Sequence, residues 1–317
     1  MSKEVKNLPA SIHDRLLHIA KQRGFTFDQV FSYYTLECLL HRLFQSRYAQ
    51  SYVLKGALMF FGWGLPLRRP TRDIDLQGYA TNTIESLEQI IRELCTLLID
   101  PPDGMIYDPD SVTGETIQND ADYQGVRLHV TAYLGRSICK FHVDISFANE
   151  ITPGVIDAQY LTILKTSSFA IKGYPYETSI AEKLHAMIVL DLANDRLKDF
   201  YDIWLIAHHF NVKGQLLVDA ITNTFRARKA NIPQDVPTVF TDRFVQEKKA
   251  GWLGFKKKLP VSDPIPADFE KVLGTLRKFL IPPLQAAAEQ KPLKMIWSGE
   301  KGWIEDKSPE NTTSSHR

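Results

Sequence analysis

Two runs of strict alternation most restrict what this chain can fold into. Val126, Leu128, Val130 and Ala132 alternate with polar partners, and so do Phe141, Val143 and Ile145. A period of two sends successive side chains to opposite faces of a strand, so each run has one apolar and one polar face. The second run presents His142, Asp144 and Ser146 on its polar side. An all-helical fold is therefore excluded. Two shorter strand-sized runs lie upstream, at Tyr52-Val53-Leu54 and Asp73-Ile74-Asp75-Leu76.

Around these strands the apolar spacing turns helical. Ile12, Leu16, Leu17 and Ile19 recur on a helical period that Gly24 ends; further helices are expected over Phe27 to Phe44 and Ile84 to Ile99. Ala57 to Trp63 suits one or two helical turns. The Gly64-to-Pro70 stretch is a loop by its Gly and Pro content, and residues 101–124 read as polar and turn-rich. From about residue 177 the pattern is helical throughout. Ser179 and Glu182 have capping-box spacing, and more helices are expected near 198–210, 214–228, 237–249 and 267–288. The fold class is α/β (α+β): a small mixed sheet with flanking helices, then an α-helical C-terminal lobe. The expected boundaries are 1–170 for the α/β lobe with its N-terminal helices, 171–290 for the helical lobe, and a disordered polar tail over 291–317.

A chain of 317 residues accommodates two such lobes, and 44% hydrophobic residues supply their cores. The net charge of +1 gives no global attraction to polyanions, so nucleic acid would have to meet a local basic patch. Cys38, Cys95 and Cys139 are far apart and form no Cys-x-x-Cys pair, which suggests buried thiols in a reducing compartment. Neither a signal-peptide pattern nor a long apolar run is present, so the expected location is cytoplasmic and no membrane partner is implied.

The chemistry gathers around Asp73 and Asp75. At i and i+2 of a strand both carboxylates face one way, and their repulsion is relieved by a divalent cation such as Mg²⁺. An exposed Asp-x-Asp at a loop edge is the plainer reading of the pair alone. Upstream, Lys55, Gly56 and Ala57 form a strand-to-helix turn whose glycine admits close backbone approach and whose free N–H groups suit a phosphate. Downstream, Asp144 would add a third carboxylate and complete a two-metal site, unless it is a solvent-facing aspartate. In the helical lobe, Lys183 is placed to bind β/γ-phosphates if its helix faces the cleft. Asp199 and Asp202 share a helix face at i, i+3; one of them would pair with Lys183 or help bind a nucleotide.

Taken in order, Val53-Leu54-Lys55-Gly56-Ala57, Arg69-Pro70-Thr71-Arg72-Asp73-Ile74-Asp75-Leu76, Val143-Asp144-Ile145, Ala181-Glu182-Lys183-Leu184-His185-Ala186 and Lys198-Asp199-Phe200-Tyr201-Asp202-Ile203 resemble the AbiEii-type toxin nucleotidyltransferases of the DNA polymerase β-like superfamily. The resemblance runs from about Pro9 to Leu259. It implies the toxin half of a toxin–antitoxin pair, with a cognate antitoxin protein as partner. It implies transfer of a nucleoside monophosphate from an NTP to an acceptor, the 3′ end of tRNA in characterised relatives, which stops translation. By the same match Asp73 and Asp75 are metal ligands for Mg²⁺ or Mn²⁺, Lys183 binds the triphosphate, and either Asp199 or Asp202 is the acid of the last motif. Asp144 matches the third-strand acid. The chain departs from the family at the phosphate turn, where Gly56-Ala57-Leu58 replaces Gly-Gly or Gly-Ser, so the usual hydroxyl contact to phosphate is missing or made elsewhere.

A tRNA acceptor requires basic surface. Arg68, Arg69 and Arg72, then Arg226, Arg228 and Lys229, then Lys256, Lys257 and Lys258 are the clusters available, and Arg69 and Arg72 stand nearest the carboxylate pair in sequence. Three alternatives remain open at this stage: nucleotidylation of a protein by the same chemistry, a metal-dependent nuclease, and a non-catalytic protein that binds nucleotide or antitoxin.

Overall fold

In a computed structural model the described residues are 7–79, 83–120, 123–147, 150–165, 168–260 and 263–307. The chain divides into two compact units. One comprises Met1–Pro175 with Trp252–Ala267, the other Tyr176–Gly251 with Asp268–Arg317.

The first unit holds, in chain order, α1 (Leu8–Arg23), α2 (Phe27–Gln45), β1 (Tyr52–Lys55), α3 (Met59–Gly62), β2 (Asp73–Gly78), α4 (Ile84–Thr96), β3 (Ile106–Asp120), β4 (Tyr123–Leu134), β5 (Ser137–Phe147), β6 (Ile156–Leu161) and β7 (Ser168–Gly173). The strands form one mixed sheet in the order β3-β4-β5-β2-β1-β7-β6. β2 runs parallel to β5 and antiparallel to β1, while β1 runs parallel to β7. Local chemistry sets the helix ends. Gly24 takes the left-handed C-cap of α1 at φ 71°, and Thr26 opens α2 in a capping box with Gln29. Ile74 and Leu76 from β2 and Val143 from β5 meet Leu39, Leu40 and Leu43 from α2 and Ile91 and Leu94 from α4 in the core. That leaves the opposite sheet face to the polar residues.

β3 is a strand where the sequence reads as turn. Pro109 and Gly114 obscure its pattern, and its pairing with β4 slips between Asp108 and Thr113. The slip frees backbone groups that side chains then satisfy. The Ser111 hydroxyl accepts from the Thr131 N–H, Arg92 donates to the Val112 carbonyl, and Glu88 accepts from the Gly114 N–H.

The second unit contains α5 (Tyr176–Leu190), α6 (Leu197–His209), β8 (Val212–Lys213), α7 (Gly214–Ala227), most of α8 (Asp242–Lys256), α9 (Phe269–Ala288), β9 (Met295–Ser298) and β10 (Gly302–Glu305). α5 begins three residues ahead of Ser179, directly after Pro175, so Ser179 is a buried residue inside the helix and not its cap. Phe200, Phe244 and Phe269 are fully buried and pack ring on ring at 5.5 Å between Phe200 and each of the others. Order extends past residue 290, where the sequence suggested a disordered tail. β9 pairs with both β8 and β10, because its tryptophan is a core residue: Trp297 is 4% exposed, packs at a tilt with its ring centroid 4.9 Å from that of Phe279 and donates its Nε1–H to the Ala207 carbonyl at 2.7 Å. Residues 308–317 lie outside the described part. Among the described residues no helix is long and apolar enough to cross a membrane.

Candidate active site

The polar face of the first unit's sheet is organised by strand register. Asp75 on β2 stands opposite Asp144 on β5 and, on its other side, opposite Lys55 on β1. Asp144 in turn stands opposite Arg127 on β4, and Arg127 opposite Glu115 on β3. One row of charged residues thus crosses five strands. A second row, two residues along, carries Asp73, His142 and His129.

Asp73 and Asp75 point to the same half-exposed face, as their i, i+2 spacing requires. The His142 Nδ1 lies 3.1 Å from Asp73 Oδ1. His142 also meets His129 edge to face at 4.8 Å, and His129 Nε2 is 3.0 Å from Glu115 Oε1. Lys55 turns toward β5 and donates to the Ser146 hydroxyl at 2.8 Å.

Gly56 follows β1 at φ 70°, and a β-carbon built there would sit 2.0 Å from Asp75 Oδ2. The left-handed backbone and the close carboxylate both demand glycine. The chain then enters a 3₁₀ turn over Gly56–Leu58 that leads into α3. The Ala57 side chain is buried, so this residue offers the site only its backbone.

The donor set fits one hard divalent ion. Mg²⁺ typically takes one or two carboxylates and fills its shell with water and substrate phosphate. Asp73 and Asp75 share a face, and the absent β-carbon at Gly56 leaves the Asp75 carboxylate its space. Asp144 does not join them as the sequence suggested. Its two oxygens accept from Arg127 in a fork, Nε to Oδ1 at 2.8 Å and Nη2 to Oδ2 at 2.7 Å. Among the described residues no three His, Cys, Asp or Glu side chains converge as a metal-holding group.

Arg69 and Arg72 are also separated by the structure. Arg72 is exposed, whereas Arg69 is 6% exposed. The buried Tyr33 hydroxyl donates to the Arg69 carbonyl at 2.7 Å and draws this loop down onto α2. Arg69 is therefore removed from the set of surface cations that could meet a polyanion.

In the second unit, Lys183 on α5 bridges both acids of α6. Its Nζ lies 2.7 Å from Asp199 Oδ1 and 2.9 Å from Asp202 Oδ2. The carboxylate side chains are 0% and 1% exposed, and Arg196 approaches the far oxygen of Asp199 at 2.8 Å. Lys183 and Arg196 thus bring positive charge to two buried anions. On the same helix, the His185 ring sits against Arg228, Nδ1 to Nη1 at 3.0 Å. Burial, and then the Arg228 charge, push the His185 imidazole down to about 4, against the pull of Glu182. Burial pushes the Glu177 carboxyl, in the first turn of α5, up to about 7.

Arg127, His142 and Arg196 were not singled out from sequence as partners of the acids. Alternation puts Arg127 and His142 on polar strand faces, but only register says whom they meet.

A family model for nucleotidyl transferase AbiEii toxins of type IV toxin–antitoxin systems matches residues 38–275. No curated protein matches the chain. Among solved structures, JHP933 from Helicobacter pylori is similar at 13% identity and TM-score 0.47, over 82% of this chain and 92% of that one. An H. pylori protein described as a candidate nucleotidyltransferase is similar at 14% identity and TM-score 0.49, over 84% and 97%.

Proposed function

The chain belongs to the AbiEii nucleotidyl transferase toxin family, and from that premise we propose that it transfers a nucleoside monophosphate from an NTP to the 3′ end of tRNA, blocking translation until a cognate antitoxin restrains it. The observation that carries the reading is the pair Asp73 and Asp75 on one face of β2, with Gly56 shaped around the second carboxylate.

In the proposed reaction the acceptor hydroxyl attacks the α-phosphorus in line. A new O–P bond forms, the bond to the β-phosphate oxygen breaks, pyrophosphate leaves, and the hydroxyl proton passes to solvent. A Mg²⁺ held by Asp73 and Asp75 supplies charge neutralisation at the phosphates. The protein's own part is positioning. Asp73 and Asp75 hold their carboxylates at fixed register, His142 orients Asp73, and the turn after Lys55 offers backbone N–H groups to phosphate. Lys183 is assigned the triphosphate by the family resemblance, with Asp199 and Asp202 orienting its ammonium. Arg72 is the exposed cation offered to the acceptor's backbone.

The deciding experiment is label transfer. The purified chain is incubated with Mg²⁺, total tRNA and each α-labelled NTP in turn, beside Asp75→Ala. Label on tRNA with one NTP, lost in the variant, is the expected result and names the donor. Label on protein moves the acceptor; shortened tRNA replaces transfer by nuclease action; no label with intact tRNA points to a binding protein.

A further inference from the structure

In-line transfer puts the entering and the leaving oxygen on opposite sides of the phosphorus. The sheet gives those two sides different partners. Along one row of the polar face the order is Lys55 on β1, Asp75 on β2, Asp144 on β5 and Arg127 on β4. In the proposed reaction the turn after Lys55 takes phosphate at the β1 end, so the departing pyrophosphate belongs there. The acceptor then enters from the end formed by β5 and β4. Arg127 stands at that end, two interstrand spacings from Asp75, or about 10 Å.

Arg127 is held as an anion-binding group is held. It and Asp144 are direct cross-strand partners, so its place is set by strand register. The fork to Asp144 occupies Nε and one N–H of Nη2, which leaves three of the five guanidinium donors. Those two are the hydrogen bonds found for Arg127 among the described residues. Glu115, its register partner on β3, is turned to His129, with Nε2 at 3.0 Å. The Arg127 side chain is 32% exposed and that of Asp144 14%, so the guanidinium is fixed from below and still reaches solvent. A fixed guanidinium loses less freedom when a phosphate arrives. Asp73, Asp75, Asp144 and Glu115 also make this face repel an incoming polyanion, so a cation is needed where one enters.

We infer that Arg127 binds a phosphodiester of the acceptor RNA next to its 3′ end, and that Asp144 is the positioning residue that holds the guanidinium for it. The inference rests on the proposed transfer, with the triphosphate end at the Gly56 turn, and deepens it by giving the acceptor its own contact.

The test measures tRNA and NTP separately on the full chain. Filter binding at several salt concentrations reads tRNA, and equilibrium dialysis of the α-labelled nucleotide reads NTP. Arg127→Gln is expected to weaken tRNA binding by about ten- to a hundredfold, as loss of a charged hydrogen-bonded contact does. It should also lower the salt slope of log K by about one and leave NTP affinity unchanged. Arg127→Lys, which keeps the charge and loses the fork, should keep the salt slope and recover part of the affinity. Arg127→Gln strands the Asp144 charge, so the double variant Arg127→Gln with Asp144→Asn, which strands none, is measured beside it and should show the same losses. Weakened NTP binding in either glutamine variant, tRNA binding equal to wild type in both, or no tRNA bound by the wild type overturns the inference. Label transfer is scored separately: tRNA bound through Arg127 without transfer defeats the functional reading alone, and transfer to tRNA with an unchanged acceptor KM in both glutamine variants defeats this inference alone.

Discussion

Gly56 and Asp75 occupy one space, since a β-carbon on the glycine would lie 2.0 Å from the Asp75 Oδ2. Gly56→Ala therefore carries two costs. The φ of 70° disfavours any L side chain by about 1–2 kcal/mol, and the new methyl must push the carboxylate aside. The expected result is a lowered Tm together with a loss of Mn²⁺ affinity of at least about tenfold. A lowered Tm with unchanged Mn²⁺ affinity would separate Asp75 from ion binding.

Lys183→Met is expected to destabilise the protein by roughly 3–5 kcal/mol, because it takes the bridging cation away from two buried carboxylates, Asp199 and Asp202. Adding Asp199→Asn and Asp202→Asn should recover at least half of that, since no buried charge is then stranded. Thermal denaturation of the single and triple variants checks this. If the triple variant is no more stable than Lys183→Met, the Lys183 cluster does not act as a charge-balanced unit. The stability comparison also bears on any loss of activity in Lys183 variants, which would combine phosphate binding with folding.

Glu37 makes the fold lose stability as pH rises from about 4.5 to about 8. It is 3% exposed, and burial pushes its carboxyl up to about 8 against the lowering effect of the Ile163 N–H, which Oε2 accepts at 2.8 Å. The folded state thus holds a proton that the unfolded chain releases near 4.5. Stability is undiminished below that value and falls by roughly 1.4 kcal/mol per pH unit as pH climbs toward 8. Glu37→Gln should match the wild type in Tm near pH 5 and exceed it at pH 8. Parallel Tm profiles for the two would mean that Glu37 is ionised in the fold.

His185 acts with the opposite sign. Its imidazole is pushed down to about 4 by burial first and by Arg228 second, so between about 4 and the ordinary 6.5 the unfolded chain binds the extra proton. Its contribution is complete above 6.5 and is lost as pH falls toward 4. Tm of the wild type should drop across this window more steeply than that of His185→Gln, and equal slopes would refute a neutral buried His185.

The legibility of this architecture in the sequence follows the range of each interaction. Helix ends at Gly24 and Thr26 are local events, and the end of α1 and both ends of α2 were readable to within a residue. Alternation in 126–132 and 141–145 revealed two strands and their polar faces. The i, i+2 spacing showed that Asp73 and Asp75 share a face, and the i, i+3 spacing did the same for Asp199 and Asp202. β3 was missed because a register slip and the side chains of α4, remote in sequence, do what a regular ladder would do. The same limit applies to Asp144. Its alternation shows which face it occupies, but Arg127 is 17 residues away across a hairpin, and no local pattern announces that fork. Residues 295–305 were read with the polar tail, although Met295, Ile296, Trp297, Trp303 and Ile304 are apolar. They order because Trp297 and Trp303 find Phe279.

The arginines beside the carboxylate pair should divide cleanly by burial. Arg72 is exposed, so Arg72→Ala is expected to leave Tm within about 0.5 kcal/mol of wild-type stability. If Arg72 contacts an acceptor phosphate, the same variant weakens tRNA binding evenly across tRNA sequences and reduces the salt dependence of log K by about one. Arg69 is 6% exposed, and Arg69→Ala removes a packed side chain from a loop that Tyr33 anchors, which predicts a lowered Tm and an unchanged salt slope. Nitrocellulose filter binding at several salt concentrations, run beside thermal denaturation, reads both effects. A reduced salt slope in Arg69→Ala at wild-type Tm would return that residue to the acceptor surface and remove the basis for setting the two arginines apart.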